Sequence, residues 1–101
     1  MATKTRIEFG NLQPGGGPNP NMLYAMPISA VAMSVTSTAA STTAVPAGVG
    51  YAFITAVDGN VIALPGSSPT AIQTTGKLCL QGVETPIPVV PGQLISLIEL
   101  A

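Results

Sequence analysis

The sequence predicts an all-β fold, a small β-sandwich or barrel of about seven short strands with an extended N-terminal arm. Its apolar segments are short and rich in β-branched residues, and Gly, Pro or Asn separates them at intervals of about ten residues. No window keeps a helical period over about ten residues without a helix-breaking residue. With 101 residues and 47% apolar content, the chain can form one small core.

The N-terminus is predicted to lie apart from this β-domain. The first strand, TKTRIEF, precedes NLQPGGGPNPN (residues 11–21), whose Pro and Gly content suits neither helix nor sheet. An extended segment of this length spans up to about 35 Å, enough to reach a neighbouring molecule. We therefore divide the chain into an arm and spacer over residues 1–22 and a β-domain over residues 23–101. The candidate partner-binding residues of the arm are Thr5, Arg6, Ile7, Glu8 and Phe9.

Two segments of the β-domain carry recognisable strand patterns. In YAMPISAVAMSVTSTAAST, apolar residues alternate with smaller ones, which favours a strand although the Ala and Met content favours a helix. In VGYAFITAVDGNVIAL, two apolar runs flank Asp58–Gly59, a dipeptide typical of two-residue hairpin loops. We therefore expect a hairpin there, followed by short strands around TAIQ and KLCLQ.

The last seventeen residues include two strands of different character. In TPIPVVPG, Pro86 and Pro88 would leave the same side of a strand without N–H donors, which predicts an edge strand. The final segment, QLISLIEL, is apolar on both faces. It is either the central strand of a sandwich or a strand with one face against another subunit. Together with the two tyrosines, it supplies the interface candidates, which are Tyr24, Tyr51, Leu97 and Ile98.

The charge content points to a surface covered by partners. Only 7% of the residues are charged, where about 25% is ordinary for soluble domains, and the formal net charge is -1. The alternative is a solvated surface of Ser, Thr and Asn. Nucleic acid is not expected as a partner because cationic side chains are not clustered. No membrane span and no signal peptide are expected, since the apolar runs are too short.

The residue types that most enzymes use are scarce, so we expect a non-enzymatic protein without catalytic residues, cofactor, metal or small-molecule substrate. The chain has no His, and its single cysteine, Cys79, lies in an apolar segment where a buried, inert thiol is expected. A hydrolase would have to use Glu84 and Glu99. The segment PGGGP has no Lys at the spacing of a phosphate-binding loop.

From about residue 44 onward, the order of features resembles a group of small virion proteins of tailed bacteriophages. The similar segments are VPAGVGYAFITAVDGNVIALPGSSPTA and GKLCLQGVETPIPVVPGQLISLI. In that group an aromatic strand follows a Pro-Ala-Gly turn, a hairpin and a Gly/Pro loop come next, and a Pro-rich segment leads into an apolar final strand. The resemblance covers a little over half of the chain and rests on turn residues.

This resemblance implies a capsid decoration or cement protein. Its partners would be the major capsid protein and copies of itself, as a dimer or trimer, and its location the virion, after synthesis in the bacterial host cytoplasm. The alternatives are a tail or head-tail connector component and a carbohydrate-binding adhesin module, in which Tyr24 or Tyr51 would stack on sugars.

Overall fold

The chain forms two four-stranded antiparallel β-sheets that pack face to face. The computed structural model describes residues 3–14 and 23–100, with side chains described for residues 3–11 and 29–100. The predicted all-β sandwich is confirmed, and the described residues contain eight strands and no helix. In chain order the strands are β1 (Thr3–Pro14), β2 (Leu23–Val35), β3 (Ala40–Ser41), β4 (Tyr51–Ala56), β5 (Val61–Gly66), β6 (Lys77–Cys79), β7 (Thr85–Pro88) and β8 (Leu94–Glu99).

The strand order places the long N-terminal strands in one sheet and the C-terminal strand in the other. Sheet I has the order β2-β1-β4-β7, and sheet II has the order β3-β8-β5-β6. Side chains alternate along each strand, so every second residue points between the sheets. The main core contains buried residues from both sheets: Ile7, Phe9, Val35, Val45, Val49, Ala52, Ile54, Ala56, Val61, Ala63, Cys79, Ile87, Val89, Ile95 and Leu97.

β1 is an inner strand of sheet I, which corrects the expectation of a separate arm. It pairs with β2 on one side and with β4 on the other. Ile7 and Phe9 are 0% and 1% exposed and belong to the main core. The Pro/Gly-rich segment therefore begins inside β1 with residues 11–14, and its residues 15–21 are outside the described residues.

β4 and β5 do not form the predicted hairpin, because they belong to different sheets. Neither Asp58 nor Gly59 has the positive φ that the expected turn requires. The Val57 N–H instead donates to the Lys4 carbonyl, so the chain continues along β1 before it crosses to sheet II. The Asp-Gly dipeptide marks a chain reversal correctly but does not determine which sheet the next strand joins.

The predicted edge strand is confirmed, and of the two alternatives for the last strand the structure shows the central one. β7 lies at the border of sheet I and pairs with β4 alone. β8 lies between β3 and β5, with Ile95 and Leu97 in the main core. Its other face packs in a smaller cluster around Ile62, Ala71 and Ile98.

The expected strand around TAIQ is wrong. Ile72 and Thr75 form an isolated bridge around a tight turn. The Ala71 N–H donates to the Ser96 hydroxyl at 2.9 Å, which holds this segment against the outer face of sheet II. The apolar pattern of TAIQ therefore belongs to a loop that covers the smaller cluster.

Candidate functional site

The five residues proposed as a partner-binding arm are split between the two faces of sheet I. Thr5, Ile7 and Phe9 point into the domain and are buried. Arg6 and Glu8 point outward, and Arg6 Nε donates to Glu8 Oε1 at 3.0 Å. The inward residues are needed by the domain's own core, so these five residues do not form an arm that is free to bind a neighbour.

The interface candidates on the last strand are likewise corrected. Leu97 is 0% exposed in the main core, and Ile98 is 8% exposed in the smaller cluster. Their apolar character is explained by two internal layers on the two faces of β8. Neither presents a surface to another subunit.

The two tyrosines lie on sheet I. Tyr51 is half-buried on the outward face, and its ring stacks on Phe53 with centroids 6.3 Å apart. Tyr24 lies in β2 opposite Gln13, and its side chain is outside the described part of the chain. The stacking occupies one side of the Tyr51 ring and leaves less of it for an external group.

The candidate reactive residues do not gather into a site. Cys79 is buried, and desolvation raises the pKa of its thiol to about 11, against the smaller lowering effects of a hydrogen bond with Thr85 and the charge of Lys77. Glu99 accepts a hydrogen bond from the Thr3 hydroxyl, and Glu84 is exposed in the loop before β7. Within residues 3–14 and 23–100, no cluster of His, Cys, Asp or Glu suitable for a metal ion is found.

The pairing of β1 with β2 continues for four residues past the point where β1 stops pairing with β4, and it forms a two-stranded ribbon there. The β1–β4 ladder ends at Gly10, which pairs with Tyr51. Beyond it, Asn11–Pro14 pairs with Leu23–Met26 and, among the described strands, with no other; we call these paired segments the ribbon. The register shifts between Phe9 and Gly10, a bulge that alters strand twist where the ribbon leaves the sandwich.

The outer border of β2 is a long, uncharged sheet edge. We call the residues Ala30 to Ser34 at this border the β2 edge. Ala30, Ala32 and Ser34 are exposed, whereas Val31 and Met33 are half-buried against the main core. An exposed strand without charge or proline presents unpaired backbone groups that another strand can use.

The other three edge strands of the sandwich have features that hinder pairing with a strand of another molecule. Pro86 and Pro88 remove outward N–H groups from β7, since the Val89 N–H donates inward to Gly50 and N–H directions alternate along a strand. β3 has two residues and β6 has three, so neither offers a long template. The β2 edge is therefore the exception among the described strands.

The same alternation of N–H and C=O directions identifies the backbone groups of the β2 edge that point away from β1. The Lys4 carbonyl accepts from Val57 and therefore points toward β4, so the groups of Thr5 and Ile7 point toward β2. Their partners Met33 and Val31 bond inward to β1. The N–H and C=O groups of Ala30, Ala32 and Ser34 consequently point outward.

An open groove lies beside the β2 edge, with a volume of about 420 Å³. It gathers two of the chain's three cationic residues, Lys4 and Arg6. Within this groove the Arg6 guanidinium already pairs with the Glu8 carboxylate. The groove's lining residues are Lys4, Thr5, Arg6, Ala32, Met33, Ser34 and Val57.

The sequence itself contains a signal for the β2 edge. The segment SAVAMSV (residues 29–35) has no charged residue and no proline, unlike the segment with Pro86 and Pro88. This contrast becomes informative only when the strand order places both segments at borders of sheet I.

No protein-family model matches the chain, and neither a curated protein nor a solved structure matches it. Among the described residues, no helix is long and apolar enough to cross a membrane.

Proposed function

We propose that this chain is a non-enzymatic structural protein of a tailed-bacteriophage particle, acting as a capsid decoration or cement protein. The observation that carries the proposal is the ribbon, which continues past the sandwich where β4 no longer pairs with it. No charged residue occurs between Phe9 and Val57, a stretch that includes the ribbon and the β2 edge. These surfaces suit burial against protein better than exposure to water.

The ribbon supports this function through its low intrinsic stability. A two-stranded hairpin on its own is marginally stable in water and gains order when it packs against other elements. Docked in a groove between capsid subunits, the ribbon would gain the packing that a two-stranded element lacks on its own. Repetition over a shell would add avidity to a small individual interface.

In this proposal the partners are the major capsid protein and copies of the chain itself. The resemblance to small phage virion proteins supports the assignment from a second direction, since it rests on residues after position 44, outside the ribbon. Synthesis would take place in the cytoplasm of the bacterial host and function in the virion.

The test requires a variant that loses the ribbon and keeps the sandwich. Deleting residues 1–21 would remove Ile7 and Phe9 from the core and is therefore unsuitable. Replacing residues 12–25 by Asn-Gly joins Asn11 to Met26, which already face each other, through a favoured two-residue turn. It also keeps the Asn11 side chain, which bonds the Gly48 carbonyl and the Gly50 N–H.

Both proteins are mixed with purified heads, and separately with purified tails, of the phage whose genome encodes the chain, and are sedimented. We expect the unaltered chain to bind heads to saturation and the trimmed variant to bind at least about tenfold more weakly, a difference of 1.4 kcal/mol or more. Binding to tails alone favours the connector alternative. A chain that binds neither, but binds a glycan array, rules out the virion proposal in favour of an adhesin.

A further inference from the structure

We propose that the β2 edge pairs with the β2 edge of a second copy of this chain, so that two copies of sheet I join into one continuous sheet. The pairing is antiparallel about a two-fold axis at Ala32. The proposal concerns the purified chain alone, so it is independent of any phage particle and fails or succeeds separately from the function proposed above.

The backbone register is self-complementary. A two-fold axis at Ala32 places Ala32 opposite its own copy and Ala30 opposite the partner's Ser34. These are the residues whose N–H and C=O groups point outward, so each opposed pair can exchange two hydrogen bonds in the usual antiparallel pattern. The groups that bond inward to β1 are not disturbed.

The side chains are also matched in this register. Val31 comes opposite the partner's Met33 on the core-facing side, where both are only half-buried in the single chain. Closely opposed apolar pairs are favourable units of sheet stability. On the outward face Ala30, Ala32 and Ser34 are small and exposed, so their own side chains leave room for a second strand.

Electrostatics favours a second copy as the occupant. The β2 edge is uncharged, so identical strands meet without like-charge contacts. The nearest cationic residues, Lys4 and Arg6, lie one strand inward on β1. Three inter-strand spacings, about 14 Å, separate the two β1 strands in the joined sheet, which exceeds the Debye length of about 8 Å at physiological ionic strength.

The first test is sedimentation equilibrium of the full chain at up to about 100 µM, a concentration that populates complexes with micromolar dissociation constants. Ala32→Lys opposes two cations across the axis, and Ala32→Pro removes an outward N–H that makes no hydrogen bond within the described part of the chain. Ala40→Lys, at the exposed edge of β3, is the matched control. Thermal melts establish that each variant is folded.

We expect a dimer for the unaltered chain and for Ala40→Lys, and a dissociation constant raised at least about tenfold for either Ala32 variant. A chain that stays monomeric at these concentrations overturns the proposal and leaves the edge for a strand of another protein. A dimer whose dissociation constant in both folded Ala32 variants equals that of the unaltered chain also overturns it.

The second test reads the register directly. Opposed residues of a hydrogen-bonded pair have Cα atoms about 5.5 Å apart, within the range of about 4.4–6.8 Å that a disulfide bridges. With oxidised glutathione as oxidant, Ala32→Cys should form a disulfide-linked dimer and Ala40→Cys should not. Equal cross-linking of the two variants, or none at position 32, contradicts the proposed register.

Discussion

At the scale of single residues, the burial of Ile7 shows that β1 is a core strand and not a free arm. The Ile7 side chain is fully buried between the sheets, although its strand was expected to leave the domain. The alternation of TKTRIEF predicts a strand with one apolar face, but it does not predict what covers that face. What covers the apolar face of β1 depends on its pairing with β4, which lies more than forty residues further along the chain. No local sequence pattern encodes such a long-range pairing.

The Ile7→Ala variant should lower the free energy of unfolding of the isolated chain by about 3 kcal/mol, because it removes buried methylenes and leaves a cavity. Urea denaturation measures this loss. As a control, Val57→Ala at a site 52% exposed should change stability by no more than about 0.5 kcal/mol. Equal and small effects of the two substitutions would mean that β1 is not part of the folded domain.

Cys79 gives stability a pH dependence with a defined sign. Burial raises the pKa of its thiol from 9.0 to about 11, so the folded chain holds this proton to higher pH than the unfolded chain. The stabilisation that the protonated Cys79 thiol gives the folded chain is fully present below pH 9.0 and is lost as pH rises through about 11. Unfolding titrations should therefore show a stability loss in this window that Cys79→Ala lacks; the same pH profile in both proteins would disprove the assignment.

At the scale of elements, the two borders of sheet I differ in how they are protected. The prolines of β7 were sufficient to predict an edge strand from sequence, because a missing N–H has the same consequence in any fold. The β2 edge carries no such mark. Its position at a border follows only from the strand order. Turn residues do not predict that order, because the hairpin expected at Asp58–Gly59 is absent and β4 and β5 lie in different sheets.

Removing the protection of β7 should promote association without unfolding the domain. In the double variant Pro86→Thr and Pro88→Thr, restored N–H groups face outward, and no inward bond to β4 is lost. We expect a melting temperature within about 4 °C of the unaltered chain, equivalent to less than about 1 kcal/mol. Light scattering should show faster aggregation at equal concentration, and an unchanged rate would argue that these prolines do not protect the edge.

At the scale of the whole molecule, the scarcity of charge fits surfaces that other chains cover. The seven charged residues leave the ribbon and the β2 edge neutral. Composition alone predicts a surface covered by partners, and the β2 edge is the location that we propose for it. What occupies that surface depends on other molecules, so sequence composition could not specify it.

Because the two β2 edges are uncharged, we expect the dissociation constant of the proposed dimer to be insensitive to salt. The dissociation constant should change by less than about twofold between 50 mM and 500 mM NaCl, because no charged contacts are made across the axis. Sedimentation at the two salt concentrations measures this. A tenfold weakening at high salt would instead indicate an interface built on Lys4 or Arg6.

The most direct measurement of the β2 edge is amide hydrogen exchange by NMR, residue by residue, at low and high protein concentration. Val31, Met33 and Val35 should be protected at both concentrations, because their groups bond inward to β1. Ala30, Ala32 and Ser34 should exchange fast when dilute and become protected when concentrated, giving an alternating pattern. If these three amides exchange fast at every concentration, the β2 edge is not paired in solution and the account of this surface is contradicted.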